Sequence, residues 1–404
     1  MKIWRNWKKK DRKQMDSKTV WRENDPGSRN RLFPFGTALL LILSGLLGCL
    51  AIYNSRAYGA DPTVFVMRQL LWLLPCMLVF LVSAAVPFRW YRKASSWLMP
   101  AGILLLILVL VCGETVNGMR GWLRFGRINI QPSELVKTVF LLYLCVQWDQ
   151  REKRTAGKTL KIFLTAGLCM GLVMAEPDYG GAMMFFLIFL LIAVVGGTPL
   201  HYLLIAGGAM ALASLYFLLA NDYAMMRIIG FLNQESSSAW HIRQFQYTMA
   251  HGGWTGADWG KALWSGSFLP LPHTDSLYAS IVESTGFLGG MLVIAGFLAM
   301  SIAFCLLSWK VKGRNNDRRY FIFAAGAIYL IQALIHISVN CVLIPPTGIT
   351  LPILSYGGSS LLGVLLTFGI AFSAARSDDP DELDPAVPPA GGEPHTDPAK
   401  SPQS

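Results

Sequence analysis

Ten apolar stretches recur from one end of this chain to the other, at 33–53, 65–87, 97–113, 132–148, 159–175, 180–197, 200–220, 277–308, 320–343 and 360–376. A bilayer's hydrocarbon core takes about 20 residues of helix to cross. Lipid offers the backbone no hydrogen-bond partner, so a spanning stretch must satisfy its own groups, and a helix does so. The expected fold is therefore all-α: a polytopic membrane protein, a bundle of ten transmembrane helices. Composition agrees, because 53% of the 404 residues are hydrophobic and only 15% are charged, too few to clothe a soluble protein of this length. The first stretch reads as an uncleaved anchor. The fifth and sixth, separated by Glu176-Pro177-Asp178, read as a helix pair with a sharp turn. The eighth is long enough to tilt or to begin outside the bilayer.

Charge orients the bundle. The 35 Lys and Arg exceed the 24 Asp and Glu, for a formal charge of +11. In a membrane protein such an excess marks cytoplasmic loops and does not argue for nucleic acid. The N-terminal tail (Lys8, Lys9, Lys10, Arg12, Lys13) shares a side with Arg89, Arg92 and Lys93, with Arg151, Lys153, Arg154 and Lys158, and with Lys310, Lys312, Arg314, Arg318 and Arg319. Both termini are thereby expected in the cytoplasm. Three regions follow: a basic tail 1–32, a membrane domain 33–376, and an acidic, Pro-rich tail 377–404 that reads as disordered. All seven cysteines lie in apolar stretches without metal-ligand spacing and read as buried thiols.

Two loops on the outer side stand out. Residues 114–131 carry Arg120, Arg124 and Arg127 where positive charge is disfavoured, and 221–276 form the longest loop, between the seventh and eighth spans. Long loops with placed polar groups tend to carry function, so any chemistry is expected on that face.

Five blocks then point to a family. Asn117-Gly-Met-Arg-Gly-Trp122-Leu-Arg-Phe-Gly is followed by Gln131-Pro-Ser-Glu134-Leu-Val-Lys137 and by Glu176-Pro-Asp178-Tyr-Gly. Farther on come Leu271-Pro-His273-Thr274-Asp275 and Pro346-Thr-Gly-Ile-Thr-Leu-Pro352-Ile-Leu-Ser355-Tyr356-Gly-Gly-Ser-Ser360. In order and spacing they resemble the SEDS (shape, elongation, division and sporulation) family over about 33–376. Pro-His-Thr-Asp recurs at 394–397 in the tail, so four residues alone prove little; only the copy at 272–275 leads into a span.

The resemblance implies a peptidoglycan glycosyltransferase of the bacterial cytoplasmic membrane. Its substrate would be lipid II, an undecaprenyl-pyrophosphate-linked disaccharide-pentapeptide, joined into β-1,4 glycan strands by inverting hexosyl transfer. Partners would be a class B penicillin-binding protein, other division or elongation complex proteins and membrane lipid. Thr347-Gly-Ile-Thr-Leu-Pro and Glu-Pro-Asp lean slightly toward the division-type FtsW branch over the elongation-type RodA branch. Rival readings are a lipid II transporter, which needs access from both faces and no general base, and a catalytically degenerate scaffold.

The resemblance makes Asp275 the catalytic base, a carboxylate that takes the proton of an attacking sugar hydroxyl. By position alone, Asp275 reads as a solvated loop residue or a helix N-cap. Arg120 and Arg124, with Arg127, offer guanidinium forks to a pyrophosphate, or else snorkel to lipid phosphates. Trp122 lies against isoprenoid or sugar, or in the interfacial belt. Glu134 and Lys137, three apart, share a helix face as a cavity wall or a neutralising pair. Glu176 and Asp178 close a turn, with Asp178 a candidate cap for the next span; an acidic residue at 176 adds a carboxylate where many relatives carry Gln. Lys261, Arg243, Gln244, His273 and Thr274 are further candidates for substrate contact. Ser355, Tyr356, Gly357 and Gly358 form a turn that lets backbone approach a ligand or a neighbouring helix. Asn340 reads as a helix-packing hydrogen bond. Ser276 and Ser284 depart from the family pattern, so an altered surrounding of Asp275 is expected. No organic cofactor motif is visible. A divalent cation (Mg or Mn) is compatible with a pyrophosphate leaving group, with no ligand set legible from spacing.

Overall fold

The computed structural model describes residues 32–55, 61–116, 118–126, 128–149, 155–257, 259–311 and 316–376. Both expected tails, the second Pro-His-Thr-Asp copy, Asn117, Arg127, Arg151, Lys153, Arg154, Lys312 and Arg314 lie outside them. The chain divides into two compact units, Met1–Ser44 and Gly45–Ser404. Helix α1 (Leu32–Ser55) begins in the first; all other elements belong to the second.

Each of the ten apolar stretches coincides with a helix. After α1 come α2 (Pro62–Ala85), α3 (Phe88–Cys112), α4 (Pro132–Gln147), α5 (Ala156–Ala175), α6 (Tyr179–Val195) and α7 (Leu200–Leu219). The long loop follows with α8 (Asp222–Leu232), α9 (Trp240–Gly252) and α10 (Leu263–Ser267), then α11 (Leu277–Lys310), α12 (Asp317–Asn340) and α13 (Gly358–Arg376). Among the described residues seven helices are long and apolar enough to cross a membrane: most of α2, then α3, α5, α7, α11, α12 and α13. Leu39–Ser55 and α6 are apolar but shorter, and α4 has 16 residues. The exterior is what lipid requires: Leu71, Leu74, Leu104, Leu204, Leu212 and Leu292 are each at least 64% exposed.

Helix α4 is the innermost element. It packs on α3, α5, α6, α12 and α13, and Phe140, Leu144 and Cys145 are fully buried. Pro132 at its start supplies a preset φ and forfeits no bond that the helix needs. Helix α2 runs along α13 and α11 along α12, whereas α7 packs mainly on α6 and α8 and buries no residue.

Two loop regions gain structure that hydropathy does not show. Residues 114–130 fold as an antiparallel meander, β1 (Glu114–Val116), β2 (Met119–Phe125) and β3 (Ile128–Ile130), with Glu114 opposite Trp122 and Arg124 opposite Asn129. The long loop docks on the start of α11. There Glu283, fully buried, accepts from the Trp264 and Ser265 amides at 2.8 Å each, from the Ser265 hydroxyl, and pairs with His251 Nδ1 at 2.9 Å. Asn54 bridges the Ser284 hydroxyl and the Gly260 amide. Helix α11 breaks at Gly286, whose φ of +70° suits glycine and whose missing Cβ leaves room for the Trp254 backbone. The eighth stretch is thus a buried outer segment, 277–285, followed by a membrane helix.

Candidate active site

The loops and helix ends on one side of the bundle enclose a cavity of about 1750 Å³. Its walls come from the N-terminal halves of α2, α4, α6 and α13, the C-terminal ends of α5 and α7, the meander, α8 and the segments 271–275 and 344–350. Among the described residues, none from the opposite loops (around 87, 148–149, 155–158, 197, 311 or 316–317) lines it.

Asp275 stands in that wall, half-buried, at the end of a short loop whose backbone is held from three directions. The Tyr356 amide donates to the His273 carbonyl at 2.8 Å and the Ser355 hydroxyl to the Thr274 carbonyl at 2.7 Å. Asn340 Nδ2 donates to the carbonyl of Asp275 itself at 3.0 Å. The His273 ring is buried between Phe65 (centroids 4.4 Å apart) and Tyr356 (5.6 Å), outside the cavity lining. Burial pushes the Asp275 carboxyl above the ordinary carboxylate value, while the Arg227 charge and a hydrogen bond from Thr274 pull it back. A carboxylate raised in this way is a stronger base toward a sugar hydroxyl than a free one.

Of the residues singled out in the sequence, Trp122, Arg124, Glu134, Lys137, Asp178, Thr274, Tyr356, Gly357 and Gly358 also line the cavity. Lys137 Nζ and Glu134 Oε1 pair at 2.8 Å on one turn of α4, with side chains 11% and 15% exposed. Asp178 caps α6, accepting from the Gly181 amide at 2.7 Å and from Gln131 Nε2 at 3.1 Å. Burial raises its carboxyl too, with smaller contributions from Glu134 and Asp275 against those of Gly181 and Lys137.

Others fall elsewhere. The pleat puts Arg120, Trp122 and Arg124 on one face of β2, yet Arg120 reaches back to the last carbonyls of α3, Gly113 at 3.0 Å and Val111 at 2.7 Å. Those carbonyls lack helical partners, which makes a guanidinium a natural cap. Glu176 is fully buried under the meander, and among the described residues neither of its carboxylate oxygens has a hydrogen-bond partner. Burial first, and then the Asp178 charge, push its carboxyl up to about 8. Ser355 acts behind the wall, and Lys261 is exposed away from it. Arg243 donates to the Gln234 carbonyl, and Gln244 is buried.

Two cavity cations escape the reading of the sequence, Arg68 on α2 and Arg227 on α8. Arg227 Nη1 lies 3.5 Å from the Pro346 carbonyl. Each sits among mostly apolar neighbours, Val-Met-Arg68-Gln-Leu and Met-Met-Arg227-Ile-Ile, on the side where positive charge is disfavoured. That departure is the available signal.

Residues 31–379 match the FtsW/RodA/SpoVE family profile, described as a cell cycle protein. The chain belongs to this family. The FtsW/RodA/SpoVE match takes in the whole of the SEDS-like region at about 33–376. A probable peptidoglycan glycosyltransferase FtsW from Coxiella burnetii is 32% identical over 83% of this chain and 92% of its own length. A probable peptidoglycan glycosyltransferase FtsW from Alcanivorax borkumensis is 31% identical over 85% and 92%. Among solved structures, a chain of a peptidoglycan synthase complex that coordinates polymerization and crosslinking superposes with TM-score 0.70 at 25% identity, covering 87% of this chain and 98% of that one. The rod shape determining protein RodA of Thermus thermophilus shares the fold, with TM-score 0.64 at 24% identity over 86% and 97%. Family and apolar helices together make this an integral membrane protein.

Proposed function

We propose that this protein is a peptidoglycan glycosyltransferase that polymerises lipid II at the outer face of the bacterial cytoplasmic membrane, with both termini inside. The observation that carries the reading is the placement of Asp275: a carboxylate on a clamped backbone, in the wall of a cavity that also presents Arg68, Arg124, Lys137 and Arg227. The apolar walls offered by α2, α6 and α7 suit an isoprenoid tail; the cations suit pyrophosphate.

In the reaction, Asp275 takes the proton of the acceptor sugar's 4-hydroxyl. The oxygen attacks the donor's anomeric carbon opposite the phosphate, the carbon–oxygen bond to phosphate breaks, and undecaprenyl pyrophosphate leaves carrying the negative charge. Attack from the opposite face inverts an α-linked donor into a β-1,4 product. Guanidinium and ammonium groups stabilise the charge that gathers on the leaving pyrophosphate. A magnesium or manganese ion bound to the pyrophosphate would add to the charge neutralisation that these residues supply. Among the described residues no three His, Cys, Asp or Glu side chains stand together as a ligand set.

A transporter needs a path from both faces, and the lining of this cavity comes from one end of the bundle. The likeness to a chain of a peptidoglycan synthase complex supports a crosslinking penicillin-binding protein as partner, within the division or elongation machinery. The test is polymerisation of lipid II by the protein co-purified with its cognate class B penicillin-binding protein. Wild type is expected to give long glycan strands and Asp275→Asn none, with both inserted equally well. Polymerisation by the Asp275→Asn variant overturns the base assignment.

A further inference from the structure

A carboxylate just ahead of a helix has a natural fate. It folds onto the free N–H groups of the first turn, where hydrogen bonds and the helix dipole both favour it. Asp178 does so at the start of α6. Asp275 stands one residue farther out ahead of α11, immediately before the N-cap residue Ser276, and the Tyr278 and Ala279 N–H groups of that first turn are already taken.

The partners come from the far end of α12. Asn340 Oδ1 accepts from the Ala279 amide at 3.0 Å, and His336 Nε2 stands 3.4 Å from the Tyr278 amide. His336 Nδ1 lies 2.8 Å from the Ile349 carbonyl, which fixes the proton on Nδ1 and leaves Nε2 an acceptor. Ser276, the formal N-cap, turns its hydroxyl to the Pro270 carbonyl at 2.5 Å and caps nothing. The same Asn340 carboxamide donates through Nδ2 to the Asp275 carbonyl at 3.0 Å and to the His336 carbonyl at 2.9 Å, so its polar atoms are all used. Both side chains are buried, at 0% and 1% exposure.

We propose that Asn340 and His336 are positioning residues for Asp275: by capping α11 from α12 they deny the Asp275 carboxylate its local helix-capping role and leave it facing the cavity. The inference rests on Asp275 being the base. Facing that carboxylate are Arg227 from α8, Thr274 from its own loop, and Asp178 from the turn before α6, itself near Glu134 and Lys137 of α4. None of these groups is altered by a change at 340. With the cap removed, Asp275 turns inward onto the vacated Ala279 N–H. It then leaves the substrate hydroxyl and gains a partner that favours its ionised form.

The experiment compares initial rates on lipid II across pH for wild type, Asn340→Ala, Asn340→Asp and Asp275→Asn, each co-purified with the cognate penicillin-binding protein. Asn340→Ala is expected to lose about tenfold or more in kcat with KM little changed, as misplacement of a reacting group does, and the acid limb of its profile moves to lower pH. Asn340→Asp keeps an acceptor for the Ala279 amide but loses the donor to the Asp275 carbonyl. With the cap kept, its acid limb is expected not to move down, so it carries the test even where the alanine variant fails to accumulate. An acid limb that moves down in Asn340→Asp, or wild-type kcat or an unmoved acid limb in Asn340→Ala, overturns the proposal while a dead Asp275→Asn still upholds the base. Activity in Asp275→Asn instead removes the reading beneath both.

Discussion

Ser355 donates its hydroxyl to the Thr274 carbonyl at 2.7 Å while accepting from the Leu351 amide at 2.9 Å, and so joins the turn before α13 to the loop that ends in Asp275. Ser355 and Thr274 are 81 residues apart in the chain. Ser355→Ala strands a buried N–H and a buried carbonyl, which costs about 1–3 kcal/mol. Thermal unfolding in detergent is expected to show a lower midpoint, and polymerisation a lower kcat at unchanged protein level.

Arg227 pulls the Asp275 carboxyl down against the effect of burial. A carboxylate must be ionised to act as a base. Removing the guanidinium therefore raises its pKa and moves the acid limb of the rate profile to higher pH. Arg227→Gln is expected to lose more activity in mildly acidic than in mildly alkaline buffer, as read from initial rates; an unmoved limb removes Arg227 from the electrostatics of the site.

Glu134 and Lys137 form a mostly buried pair on the cavity wall. Glu134→Gln or Lys137→Met alone leaves a charge without its partner, a loss of about 3 kcal/mol or more in such settings, and membrane accumulation should fall. The double exchange Glu134→Lys with Lys137→Glu largely restores accumulation on immunoblots. Polymerisation stays low, because the cavity then presents its charges in reversed order. Full recovery of activity makes the pair purely structural.

The Glu176 carboxylate is buried without a hydrogen-bond partner among the described residues, and burial pushes it up from 4.5 to about 8. Its folded value is raised, so the folded state binds the proton more tightly than the unfolded chain. Stability is full below about pH 4.5, falls as pH rises toward about 8 and then levels. Glu176→Gln, neutral throughout, is expected to flatten the fall in melting temperature across that window and to melt higher than wild type at its alkaline end.

Gly286 turns α11 at φ +70°, where an added Cβ would meet the Trp254 carbonyl carbon and oxygen at 2.3 Å. Gly286→Ala drives the docked loop off the helix or straightens the kink. Either displaces the segment 277–285 that carries the capped start of α11. Accumulation in the membrane is expected to drop sharply, by far more than for Gly296→Ala, whose added carbon meets nothing within 4 Å.

Much of this architecture is legible in the chain itself. Length and apolarity are local properties, so ten stretches foretell ten helices, although the number long enough to span on their own is seven among the described residues. The spacing of Glu134 and Lys137 likewise foretells a shared helix face, because three residues are nearly one turn. Arg120 shows where local reading ends. Its place on β2 beside Trp122 and Arg124 suggests a phosphate ligand, yet only the folded chain brings the open carbonyls of α3 within its reach.

Hydropathy, charge bias and turn chemistry act over a few neighbouring residues, and they suffice to specify a membrane-embedded helical chain with an acidic residue at the entrance to a span. Which cations enter the cavity, and which side chains cap α11, depend instead on how distant segments meet. Asn340 reaches the Ala279 amide across 61 positions, and such a pairing is set by the packing of two helices, which no short window of residues contains.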